Sequence, residues 1–184
     1  MCILALPGMA KETEQLIFSH LSVNDGLPHT TIVDLVQDNQ GVLWIATKGG
    51  LAKYDSYDVT NYHHNYKNQQ SVSSDFINSL YKDSRGRLWI CTDKGLSLYL
   101  SGKDFFKNFA YNQLAIHRVV ELDPMHLLVN AGHELVVFNM SDFKFRKIGV
   151  ASLPLRRVSV LFKHADEVLV GCSNGVYCYC LLYT

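Results

Sequence analysis

Apolar residues recur along this chain in short alternating runs, each closed by a cluster of Asp, Asn, Ser or Gly. Alternation with period two marks a strand that turns one face toward a core, and the polar clusters are the turns between strands. In the first stretch this predicts strands near residues 31–37, 42–47, 51–55 and 58–63, with turns at Asp38–Gly41 and Gly49–Gly50. Further strands are predicted near 104–109, 143–148, 157–163, 167–172 and 175–180.

The pattern is a repeat. At an offset of 45 residues, eleven positions of 32–54 are identical in 77–99: Ile32/Ile77, Leu35/Leu80, Asp38/Asp83, Gly41/Gly86, Leu43/Leu88, Trp44/Trp89, Ile45/Ile90, Thr47/Thr92, Gly50/Gly95, Leu51/Leu96 and Tyr54/Tyr99. Two weaker copies follow, with Leu128 and then Leu169 standing where tryptophan stood, 39 and 41 residues further on. A four-stranded antiparallel sheet recurring at this period is the unit of a β-propeller blade. The expected fold is therefore all-β: a partial propeller over residues 16–184, with blades at about 24–65, 71–112, 113–151 and an incomplete 153–184. A lone blade leaves both apolar faces wet, so Trp44 and Trp89 are expected to pack between neighbouring sheets rather than stack on a ligand. Asp38, Asp83, Gly41, Gly86, Gly50 and Gly95 are expected to build the turns of the repeat.

Composition narrows the function classes. Seventeen basic residues balance seventeen acidic ones, so no net field draws the chain to nucleic acid or anionic lipid. No run reaches the length of a membrane helix. Residues 1–15 are apolar at first and then polar, which fits a shortened export signal or an unstructured N-terminus. Residues 16–23 could add a leading strand that completes the last blade and closes a four-blade ring, although a chain cut within its fourth blade is the preferred reading. The five cysteines lack metal spacing, and no disulfide is implied. His63 and His64 are adjacent and cannot chelate one metal from a strand, so neither a metal nor a cofactor is expected.

The motif DxxGxLWIxTxxGLxxY, present at Asp38–Tyr54 and again at Asp83–Tyr99, resembles the two-component regulator propeller repeat. The lead-in at Phe18, Leu21, Asp25, Gly26 and Leu27 is similar to how such sensor domains begin. The resemblance implies a periplasmic, non-catalytic sensor region belonging to a membrane-anchored, dimeric hybrid histidine kinase. It also implies a carbohydrate-derived ligand. No kinase motif lies within this chain.

Strand order assigns the turns between second and third strands, and the links between blades, to one face. That face would carry His29, Lys48, Ser74, Asp93, Lys94, His133 and Asn174, hydrogen-bonding groups suited to a small polar ligand such as an oligosaccharide. The Asp38–Gly41 and Asp83–Gly86 turns fall on the opposite face and are read as structural. Two rival readings remain, a propeller that scaffolds protein partners and a propeller enzyme such as a lyase or glycosidase. For the enzyme, the innermost strands offer little beyond Asp34 and Glu121.

Overall fold

The computed structural model describes residues 19–148, 158–165 and 167–180. Its fifteen strands form four antiparallel sheets, each in simple up-and-down order. The first sheet holds β1 (Ile32–Gln37), β2 (Leu43–Thr47), β3 (Gly50–Tyr54) and β4 (Val59–Tyr62). The second holds β5 (Ile77–Lys82), β6 (Leu88–Thr92), β7 (Gly95–Leu100) and β8 (Phe105–Phe109). The third holds β9 (Ile116–Asp123), β10 (His126–Ala131), β11 (Glu134–Asn139) and β12 (Lys144–Lys147). The fourth holds β13 (Val158–His164), β14 (Glu167–Cys172) and β15 (Gly175–Cys180). Neighbouring sheets meet along their first strands, β1 with β5, β5 with β9 and β9 with β13, so these four strands line the axis of a propeller arc.

Between the sheets lie the apolar faces that the alternation predicts. Trp44 and Trp89 are both completely buried. Trp44 packs with Leu51, Ile77, Leu88, Ile90 and Phe106 between sheets one and two. Trp89 packs with Leu96, Leu127, Val129, Val136 and Phe138 between sheets two and three. Leu128 takes the tryptophan's place against Val168 and Val170 of sheet four. Each tryptophan withdraws roughly 150–250 Å² from water, about 4–6 kcal/mol at ~25 cal/mol per Å².

The aspartate that recurs in the repeat fixes both the turn and the tryptophan. Asp83 Oδ1 accepts the N–H groups of Arg85 and Arg87 at 3.0 and 2.9 Å, closing the turn. Its Oδ2 accepts Trp89 Nε1 at 2.8 Å and Arg87 Nε at 2.6 Å. Asp38 does the same for Gln40, Val42 and Trp44 Nε1. In sheet three, where no tryptophan follows, Asp123 turns to Met125 N–H and the His126 ring instead. On the opposite turns, Thr92 Oγ1 donates to Gly95 O at 3.0 Å and accepts Lys94 N–H. Gly95 has φ +146°, and a Cβ there would lie 2.4 Å from Phe109 O. Gly175 has φ +136° but nothing within 4 Å of its would-be Cβ.

The leading segment departs from expectation. No strand precedes β1 among the described residues; Val23–Asp25 form a single 3-10 turn instead. Ser22 and Asp25 make a reciprocal capping box, and Gly26 stops the turn at φ +103°. This drops Leu27 onto Ile45 and Ala52, so the segment covers the outer face of sheet one rather than extending a sheet. On the fourth sheet, Val160, Phe162 and Val176 remain 51%, 55% and 71% exposed. No hydrophobic cluster joins sheet four to sheet one among the described residues. The export-signal expectation for residues 1–15 lies outside the described residues.

Two stability predictions follow from this packing. Asp83→Ala strands four donors in a buried site and should cost about 3–5 kcal/mol in urea denaturation, more than Asp38→Ala at its half-buried turn. Gly95→Ala and Gly175→Ala share a backbone strain of about 1–3 kcal/mol, and Gly95→Ala should cost measurably more because its methyl meets a carbonyl.

Candidate functional site

All four axial strands are irregular at the same place. The register slips between Ile32 and Asp34, Ile77 and Ser79, Ile116 and Arg118, and Val158 and Val160. One residue is left over in each strand: Val33, Asn78, His117 and Ser159. Such bulges re-aim side chains and free backbone groups from the ladder. Here the neighbouring sheet takes up the carbonyls. Lys48 Nζ donates to Ile77 O at 3.2 Å, Asn78 Nδ2 to Ile116 O at 2.9 Å, and Ser79 Oγ to His117 O at 2.8 Å. Arg118 Nε reaches Ser159 O at 2.7 Å, and Asn130 Nδ2 reaches Val158 O at 3.2 Å.

These bonds gather a cationic and imidazole cluster at one end of the axis. Partial burial lowers the pKa of His117 from its ordinary value, and the charges of His133, Lys48 and Arg118 lower it further. His117 and His133 are both accessible to solvent. Neutral, the His117 imidazole offers one donor and one acceptor, and the two cations add donors, a mixture that suits hydroxyl-rich ligands. Beneath the cluster, burial pushes the Cys91 thiol up to about 12, so it stays protonated and unreactive.

The residues singled out from sequence have different fates. Lys48 and His133 both act on His117. His29 accepts Thr31 N–H through its Nδ1 at 2.9 Å. Ser74 is buried and accepts Phe76 N–H. Asp93 is tied through its backbone to Phe76 O, and its Oδ1 is buried without a hydrogen-bond donor. Lys94 is exposed. Asn174 Nδ2 donates to the Tyr177 hydroxyl at 2.9 Å. His117, Arg118 and Asn78 were not anticipated, because a plain alternating strand gives no sign of a bulge.

Both axial carboxylates are committed to neighbouring donors. Asp34 accepts the N–H groups of Leu35 and Leu80, each at 2.9 Å. Glu121 accepts Ser84 N–H and hydroxyl, each at 2.7 Å. His63 and His64 go to separate partners, Asp75 and Val72 O. No group of three metal-ligating side chains exists among the described residues.

Comparison with known proteins places this arc in context. Residues 26–49 and 71–94 match the family described as two component regulator propeller. A 62-residue stretch is 31% identical to histidine kinase P4 of Formosa agariphila, covering 34% of this chain and 4% of that protein. The structure is similar to the extracellular domain of a hybrid two component system from B. thetaiotaomicron, with TM-score 0.75 and 19% identity over 89% of this chain and 25% of that one. A second such domain from the same organism gives TM-score 0.74 and 17% identity, over 89% of this chain and 22% of that one. The chain thus spans about a quarter of the length of these domains, and at such identity the likeness establishes the propeller fold.

A pH dependence follows from the His117 environment. Its folded-state pKa is depressed, so its contribution to stability is intact above the unfolded value near 6.5 and is lost as pH falls from there through the folded value. His117→Gln should lessen the drop in urea midpoint between pH 8 and pH 5.

Proposed function

We propose, from the match of residues 26–49 and 71–94 to the two component regulator propeller family, that this chain is a non-catalytic part of an extracytoplasmic sensor propeller. It binds a small polar ligand derived from carbohydrate and relays occupancy to a histidine kinase elsewhere in the parent protein. The observation that carries the ligand site is the convergence of Lys48 and His133, on the turns after β2 and β10, with His117 and Arg118 at the bulge of β9.

The similarity to extracellular domains of two component systems supports an extracytoplasmic location; that the location is periplasmic and the parent membrane-anchored and dimeric is part of the same proposal. The exposed Val160, Phe162 and Val176 support a larger array, in which a further sheet covers the fourth as each sheet covers the one before. Relay requires that ligand favour one arrangement of such an array over another by its differential affinity.

The test is calorimetric titration of the chain with a panel of oligosaccharides. At least one should bind saturably, and His117→Ala or His133→Ala should weaken it about tenfold, as loss of one or two ligand hydrogen bonds requires. A panel without a binder, or a binder indifferent to both substitutions, would remove the carbohydrate reading of this site.

A further inference from the structure

The opposite end of the arc holds a groove that the reading above does not use. It lies between sheets one and two and encloses about 520 Å³, a size ordinary for small-ligand sites. Two turns touch to form its wall: a Cβ on Gly86 would lie 2.2 Å from Asn39 Nδ2. Leu88, Leu100 and Tyr99 give it a largely carbon floor, backed by the Tyr99 ring 4.5 Å from that of Trp44.

Its rim is cationic. Arg85 and Lys103 both line the groove, and neither makes an ion pair among the described residues. Arg85 meets only the Met125 sulfur at 3.7 Å, and the Lys103 ammonium sits 5.7 Å from the centre of the Phe105 ring. The nearby carboxylates are engaged elsewhere. Asp38 holds three N–H groups, and Asp104 accepts the hydroxyls of Tyr62 and Tyr99, each at 2.7 Å. Arg87 also lines the groove but is paired with Asp83. Two unpaired cations over an apolar floor call for an acid group attached to a carbon body.

We propose that this groove is a second ligand site, independent of the His117 cluster, which takes a small organic anion. The acid oxygens lie between Arg85 and Lys103, and the carbon body rests on Leu88, Leu100 and Tyr99. A neutral sugar would leave both cations unmatched, and an inorganic ion would leave the floor wet.

Anilinonaphthalene sulfonate, an aromatic body bearing one sulfonate, serves as the fluorescent probe, titrated into the whole chain at low salt. The probe should bind one saturable site, and benzoate should displace it at lower concentration than inorganic sulfate. Arg85→Gln with Lys103→Gln should weaken probe binding tenfold or more while leaving the circular dichroism unchanged, as expected for side chains at the rim. Phe162→Ser, on the exposed face of sheet four, should leave the saturable site intact, as should His117→Ala. Probe affinity indifferent to the double substitution, or lost with Phe162→Ser, would overturn the proposal. Equal competition by sulfate and benzoate would overturn the organic class, since the floor would then contribute nothing.

Discussion

The hydrogen bond from a tryptophan indole to an aspartate six residues earlier organises this arc. A buried indole must place its N–H, and a turn must place its amide hydrogens; one carboxylate answers both needs. Asp83 thereby locks the β5–β6 turn to the side chain that fills the gap toward sheet three. Asp38 repeats the device toward sheet two. Local geometry and packing between sheets are thus set by the same atom pair. In sheet three the aspartate remains but the tryptophan does not, and the carboxylate relaxes onto His126 at the surface. Leu128 supplies apolar bulk there without a polar tether, so the third interface has less to fix its register.

Axial bulges give the arc its chemistry. As edge strands, the axial strands leave alternate carbonyls outside the ladder, and around the slip at Ile77/Ser79 and its counterparts these carbonyls meet side chains of the neighbouring sheet. These cross-links hold Lys48 and Arg118 at fixed positions around His117.

The repeat, the strand order and the packing role of Trp44 and Trp89 were legible in the sequence because they follow from alternation and from turn chemistry. The leading segment was not: Leu21 fell within the possible strand at 16–23, but the Ser22–Asp25 capping box competes locally and wins. Lys48 and His133 were placed on this face from their turn positions, while His117 was hidden within a strand whose bulge depends on contacts across sheets. Ser74 and His29 showed the converse, since a polar residue on a loop face can be consumed by its own backbone neighbourhood. The groove at Arg85 and Lys103 escaped notice because the turns that form it already had a structural explanation.

The cross-links at the bulged end share a direction: in each, a side chain of an earlier sheet grips a backbone oxygen of the next. Every such bond spans only 28 to 41 positions. A polypeptide leaving the ribosome would therefore carry its clamps ahead of the strands they seize. Each new module could dock as it emerges, with no need to wait for a distant terminus. Maturation of such an array is stepwise from its first module, and a defect in one unit delays what comes after it rather than what came before.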